Sequence, residues 1–355
     1  MGVLTDWIIG LLQALGWQSP PEWFVIVVAS LIGAVLLFTV VLSIGGIFTF
    51  AFRRIFARMG QRPGPNRVGP QGIFQFLADG AKLISKEDVR PARVDKMAWT
   101  AALYVAVVFT VMAWAPIPWS GDVVFANVGT GILLVLAMGA IAPLAEILAG
   151  WGSNNKYSLY GGVRAAALDV SYEIPMVFAV AAIILQTSSL STLDIVNAQE
   201  GHLWFFLPQI IGFVIFFITA LAKAGLVPTD LAESESELVA GFTTEYGAMR
   251  FGMFFVVLFS NVFFVSAMIT MLYLGGWHAP FSATVPALDT FLGPFTPVLW
   301  FLGKSLLMCF VVFWVWVTLP RVRVDQYLSV AWKVMLPLSI VNFVLVAVLV
   351  KAGVM

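Results

Sequence analysis

The stretch GLVPTDLAESESELVAGFTTEYGAMR, residues 225–250, holds Asp230, Glu233, Glu235, Glu237 and Glu245, with Arg250 as its base. Clustered carboxylates repel one another unless they are protonated, hydrated or paired with cations, so such a group can take up and release protons together. Asp230, Glu233 and Glu237 stand at i, i+3 and i+7, a spacing that predicts one side of a helix, with Glu235 pointing elsewhere. Pro228 ends the preceding apolar run, and Thr229 or Asp230 is placed to cap the helix, with capping-box spacing to Glu233. A solvated acidic face is the plainer alternative. Against it, the acids alternate with Leu231, Leu238, Val239 and Phe242, and long uncharged runs flank the segment.

A second pair, Asp169 and Glu173, lies inside an apolar run. Four residues apart, they share a helix face. Ionisable groups at membrane depth default to a functional reading, often a proton relay. Pro175 is placed to kink this helix, and Arg164 and Lys156 are candidate partners for the pair. The alternative places Asp169 at the water interface near the helix start. Three further charges fall in or beside apolar runs: Glu146, Lys223 and Lys304. Lys304 needs an acid, water or a cavity beside it.

The cations concentrate elsewhere. Loop 51–97 holds ten Lys/Arg, and its GPNRVGP core is stiffened by turn residues, with Arg62 and Arg67 flanking them. Ile73, Phe74, Phe76, Leu77, Ala81, Leu83 and Ile84 then alternate with Gln75, Asp79, Lys82 and Ser85 at helical spacing. That pattern predicts an amphipathic helix on the membrane surface, placed to form the lip of a cavity entered from the bilayer, or simply to anchor the loop. This basic loop is the expected counter-charge for the acidic segment.

The elements that must position these groups are apolar helices. The chain has 355 residues, 61% hydrophobic and 11% charged, against about 25% charged in soluble domains. The expected fold class is an all-α polytopic membrane protein in one domain. Eight spans are predicted, near 23–50, 98–117, 123–149, 162–187, 204–224, 251–275, 293–318 and 329–350. Loops near 152–164, 223–250 and 319–328 hold two bases each, and the alternate loops none. The charged loops therefore face the cytoplasm or matrix, where their length suits docking of soluble partners. Residues 1–22 read as an interfacial helix anchored by Trp7 and Trp17 rather than a cleaved signal.

One cysteine, Cys309, excludes an intrachain disulfide and a cysteine-held cluster, and the two histidines, His202 and His278, are isolated. No metal site is expected. Neither phosphate-loop nor dinucleotide motifs occur, nor do the inverted repeats of many transporters. Nothing points to nucleic acid. Any redox cofactor would belong to other chains.

In order along the chain, GPNRVGP, LADGAKLISKED, GWGSNNKYSL, SYE, ESESELVAGFTTEY, LGGW and LPRVRVDQ resemble one family closely. It is the H-type subunit family of bacterial NADH-quinone oxidoreductase, called NADH dehydrogenase subunit 1 in mitochondrial complex I. The resemblance spans about residues 24–350. It implies the heel of a membrane arm, with quinone as substrate entering from the bilayer. It also implies iron–sulfur clusters and flavin on soluble partner subunits, and small and antiporter-like membrane subunits alongside. By the same resemblance Arg53, Arg54, Asp79 and Lys82 line the quinone path, and Arg62 and Phe76 are added to it as neighbours in the basic loop and its surface helix. The resemblance also implies that Glu173, Asp230, Glu233, Glu235, Glu237 and Glu245 serve the proton path and coupling; Asp169, an acid the family pattern does not lead one to expect, joins them from its place on the Glu173 face. A bacterial or archaeal cytoplasmic membrane is the implied location, ahead of the mitochondrial inner membrane.

The chain departs from that pattern at Phe52, Ala140 and Leu258-Phe259, where the family carries acids or a Glu-Tyr pair, and at Lys223, Leu226 and Thr229. Three other readings stay open: a related complex with a deazaflavin, ferredoxin or phenazine partner, since other subunits read the donor; a free-standing secondary transporter using the Asp169/Glu173 face; and a structural anchor that no longer couples, which the acids lost at Phe52, Ala140 and Leu258 favour.

Overall fold

Proline, glycine and capping side chains decide where the apolar runs become helices. The computed structural model describes residues 21–201, 203–280 and 293–353. The expected N-terminal helix with Trp7 and Trp17, and His202, lie outside the described residues.

Helix α1 runs from Glu22 to Met59, past the predicted end at 50. No proline occurs within it, and Gly60, Pro63 and Pro65 follow its end. Its 38 residues span roughly 57 Å at 1.5 Å each, well beyond a hydrocarbon core of about 30 Å. Phe52, Arg53 and Arg54 therefore stand on a helix end rather than in a loop. After a turn at Pro70–Gly72, α2 (Gln75–Ser85) is the amphipathic helix. It starts later than its apolar pattern, because Ile73 and Phe74 close the preceding turn, with the Phe74 N–H donating to the Val68 carbonyl.

Helix α3 (Lys96–Trp114) is capped by Asp95, whose Oδ1 accepts from the Met97 and Ala98 N–H groups at 2.9 and 3.3 Å. Residues 123–130, expected to open the next span, instead fold back over the end of α3. Trp119 N–H donates to Val123 O and Ala126 N–H to Ala115 O. Phe125 packs on the core there, which accounts for the apolar run that resembled a span. Helix α4 is Gly131–Gly152, and α5 is Lys156–Thr187, capped by Asn155.

After a short α6 (Thr192–Asn197), α7 covers only Ile210–Lys223. Turns around Pro208 take up the first part of the predicted 204–224 span. Its 14 residues reach about 21 Å. Then come a single turn α8 (Glu235–Leu238), α9 (Ala248–Tyr273), α10 (Thr296–Thr318) and α11 (Val324–Lys351). A π-turn at Ala331–Met335 interrupts α11.

Seven of these helices are long and apolar enough to cross a membrane, and α7 is a shorter eighth apolar helix. No strand occurs among the described residues. The chain is an all-helical polytopic membrane protein.

Helix α9 forms the axis. Phe259, Val262, Phe263, Ile269 and Leu272 are buried, and Trp114, Phe216, Phe301 and Phe313 pack in the same core. By contrast α1, α10 and α11 turn Leu31, Val35, Leu307, Trp314 and Val341 outward. Lipid tails are as apolar as leucine, so helix association rests on close packing. Small residues supply it. A Cβ at Gly150 of α4 would stand 2.6 Å from the Ser158 carbonyl oxygen, and one at Gly162 of α5 would stand 2.8 Å from that of Glu146. Bare backbone at these positions draws α4 and α5 together beside Glu146.

Candidate functional site

The acidic segment does not form the predicted helix. Residues 229–234 run through turns, and only Glu235–Leu238 is helical. Asp230 and Glu233 consequently meet at one cavity while Glu237 turns elsewhere, instead of all three sharing a helix face. Asp230 Oδ2 accepts from Arg321 Nη2 at 2.8 Å, and Arg321 also donates to Ser234 Oγ at 3.2 Å. Glu237 pairs with Arg164 of α5. Glu245 accepts from Asn155 Nδ2 at 2.7 Å, which ties the segment to the start of α5. Thr229 caps no helix, and its hydroxyl donates to the Leu226 carbonyl. Glu235 lies at the start of the single turn, and its side chain is outside the described residues.

The counter-charges also differ from expectation. Arg321 and Arg164, paired with Asp230 and Glu237, belong to the 319–328 and 152–164 loops, not to loop 51–97. The contact between the basic loop and the acidic segment runs the other way: Asp88 of the first loop pairs with Arg250 at 2.9 Å. Arg250 lies over the Trp99 ring at 4.4 Å. Tyr246 stacks on that indole at 4.9 Å and donates its hydroxyl to the Trp99 carbonyl at 2.9 Å. Burial pushes the Tyr246 phenol well above its ordinary value, and the nearby Arg250 only partly opposes this, so it stays a neutral clamp.

Behind the segment lies a cavity of about 90 Å³, lined by Glu146, Asp169, Lys223, Asp230 and Glu233 with Thr110 and Asn261. A second cavity of about 50 Å³ shares Thr110, Glu146, Asp169, Lys223 and Asn261, and reaches Tyr172, Gly139 and Phe264. The polar groups on these partly apolar walls, with this volume, suit several ordered waters. Asp169 lines both cavities, whereas Glu173 lines neither. Glu173 meets the cluster through Lys223, whose Nζ stands 3.9 Å from its Oε1. The candidate partners are engaged elsewhere: Arg164 with Glu237, and Lys156 over the Tyr157 ring. Thr110, Tyr172 and Asn261 were not legible as site residues. Neutral polar groups in an apolar span carry no charge signal, although a lone Asn in α9 is a usable one.

The cationic helix end builds a different site. Arg53 Nη1 donates to Asp79 Oδ2 at 2.6 Å, and Asp79 also accepts from Gln75 Nε2 at 3.1 Å. With Phe76, Lys82 and Lys86 they line a groove of about 380 Å³ between α1, α2 and α9, whose wall includes Leu83, Phe255 and Val256. Gly46 leaves room for Phe76, since a Cβ there would stand 3.2 Å from its ring. Arg62 lies over the Phe56 ring at 5.6 Å and lines an adjoining hollow of about 390 Å³ with Arg53. Arg54 turns away from both, donating to the Gln71 carbonyl and side chain at 2.5 and 2.8 Å. Apolar walls with a few convergent polar groups are the features of a small-molecule site.

The departures at Phe52 and Phe259 prove to be neighbours. Phe52 stacks on Trp316 with ring centroids 3.9 Å apart, and lies 5.5 Å from Phe259. On α9, Phe255 lines the groove and Leu258, one turn on, lines the larger cavity. Among the described residues Lys304 is held by backbone rather than by an acid: its Nζ donates to the Leu274 and His278 carbonyls at 2.6 and 2.9 Å and sits over the Trp204 ring.

Residues 32–347 match the family model described as NADH dehydrogenase. The chain is 43% identical over 344 residues to a Brevibacillus brevis protein named as the H subunit of NADH-quinone oxidoreductase, covering 96% of this chain and 97% of that one. A Dehalococcoides mccartyi protein of the same name is 41% identical over 317 residues, 89% of this chain and 86% of the other. The family model and both relatives match most of the chain, and the chain belongs to the NADH dehydrogenase family of which these H subunits are members.

Proposed function

We propose that this chain is the quinone-site and coupling subunit of a proton-translocating NADH:quinone oxidoreductase in a bacterial cytoplasmic membrane. The observation that carries the reading is the match to the H subunits over almost the whole chain. Quinone is the substrate and is taken from the bilayer. Soluble partner subunits hold flavin and iron–sulfur clusters, and antiporter-like and small membrane subunits lie alongside.

Within that role the groove of Arg53, Phe76, Asp79 and Lys82, continued by the hollow beside Arg62, receives the quinone. Its apolar wall takes the tail, and its charged rim orients the ring carbonyls. Arg54 braces the turn at Gln71 and acts on the groove indirectly. The cavity of Asp169, Asp230 and Glu233 starts the proton path. Glu173 extends it, Glu237 and Glu245 shape its mouth, and Glu235 belongs with them as an acid of the same segment. Reduction of quinone draws protons and changes the charge nearby, and acids packed round shared water respond as one group.

The aromatic contacts of Phe52, Phe259 and Trp316 favour a second reading, an anchor that holds the soluble arm without coupling. Purification through a tag on this chain in mild detergent, with co-eluting proteins identified by mass spectrometry, tests the complex. Recovery of iron–sulfur and antiporter-like subunits is expected; recovery of the folded chain alone contradicts it. Proton translocation by the recovered complex in vesicles separates coupling from anchoring.

A further inference from the structure

Two lysines enter the apolar body, and they are held differently. Lys304 is anchored by two carbonyls at 2.6 and 2.9 Å. Lys223 is not: its Nζ is shut from solvent and makes no hydrogen bond among the described residues. Its contact with Glu173, at 3.9 Å, is too long for a direct hydrogen bond. A buried ammonium with a fixed role needs good geometry and satisfied protons, and Lys304 shows that this fold can supply both.

The surroundings of Lys223 define where it can go. Both polar cavities, with Glu146 and Asp169, open onto it. A third void beside it, of about 10 Å³, is walled by Val135, Met176, Phe216 and Met268 and offers no polar partner. On the α4 side it lies against Gly139, where a Cβ would collide with Nζ and stand 2.8 Å from Cε. The four-carbon stem is flexible and its three protons rotate freely.

We propose that Lys223 is a mobile counter-charge whose ammonium group exchanges Glu173 for the Asp169–Glu146 side of the cavity. No bond is made or broken; one carboxylate partner replaces another. The exchange carries the charge state of the cavity to Glu173, which lines neither cavity. Lys223 is thus a positioning residue for the proton path, and the inference rests on the proposed coupling function.

The test uses the assembled complex in proteoliposomes, with subunit content checked by mass spectrometry, and reads quinone reduction and proton uptake together. Lys223→Met should lower proton translocation at least about tenfold, with substantial rescue in Lys223→Arg. Gly139→Ala keeps the lysine but displaces its ammonium, and should also lower translocation. The neutral double variant Glu173→Gln/Lys223→Met should stay as low as Lys223→Met. Wild-type translocation in the double variant would mean that Lys223 only balances Glu173 statically, and would overturn the proposal. Unchanged translocation in both Lys223→Met and Gly139→Ala would overturn it too, while leaving the coupling function intact. A wild-type complex that reduces quinone without moving protons would instead overturn the coupling function, and the proposal with it.

Discussion

The groove beside α2 and the cavity behind the acidic segment draw on the same residue types and hold them in opposite ways. In the groove the charges pair locally and in the open: Arg53 and Asp79 retain 45% and 31% exposure. Such pairs contribute about 0–1 kcal/mol each, so their value lies in where they point. At the cavity Lys223 retains 12% and Glu173, on its flank, 21%, and Asp169 and Glu146 share the cavity walls with Lys223. Enclosed charges act on one another strongly. The first arrangement suits recognition of a ligand; the second suits a change of charge felt at a distance.

The largest expected effect tests the cavity. Asp169→Asn keeps the shape but removes the titrating oxygen, and should lower quinone turnover and proton translocation together by about 100-fold, the scale of a lost acid–base group. A loss under about threefold would remove Asp169 from the path. Next comes the packing that shapes the cavity. A Cβ at Gly161 would stand 2.6 Å from the Phe242 nitrogen, so Gly161→Ala should destabilise by about 1–3 kcal/mol through overpacking, seen as a lower Tm of the complex. An unchanged Tm would show that α5 and the 241–243 turn can part.

In the groove, Asp79→Ala frees Arg53 and should raise KM for short-chain quinones about fivefold, within the energy of an exposed pair. Glu237→Gln should do less, no more than about threefold, because its pair with Arg164 is half exposed and lines neither cavity. A Glu237→Gln effect as large as that of Asp169→Asn would dissolve the distinction between the regions.

A separate effect, on stability, concerns the Tyr246 clamp. Tyr246→Phe keeps the stack on Trp99 and loses one hydrogen bond, about 1 kcal/mol. Its folded pKa is raised by burial. Its contribution is therefore full below the ordinary phenol value of about 10 and declines as pH rises above it. Alkaline unfolding of the wild type should steepen there, and less so in Tyr246→Phe.

The groove was largely legible in the sequence, and the cavity only in part. Periodicity placed α2, and ordered motifs placed Arg53, Asp79 and Lys82 near one another, because a helix end and a neighbouring surface helix are local features. Asp169 and Glu173 were legible as charges in an apolar run. Their division between cavity and flank was not, since it depends on which neighbours α4, α7 and α9 supply. The predicted helix through Asp230 and Glu237 failed for a related reason. Tertiary partners, Arg321 and Arg164, pull the two acids apart, and spacing cannot foresee them. Residues 123–130 misled because an apolar lid on a core and an apolar span have the same composition.

The most direct test of the division between binding and coupling is steady-state quinone kinetics of Asp79→Ala and Asp169→Asn in the same assembled complex in proteoliposomes. The predicted result is a raised KM with near-normal kcat for Asp79→Ala, and a low kcat with near-normal KM and matching loss of proton translocation for Asp169→Asn. The same pattern in both variants, or the reverse assignment, would contradict it.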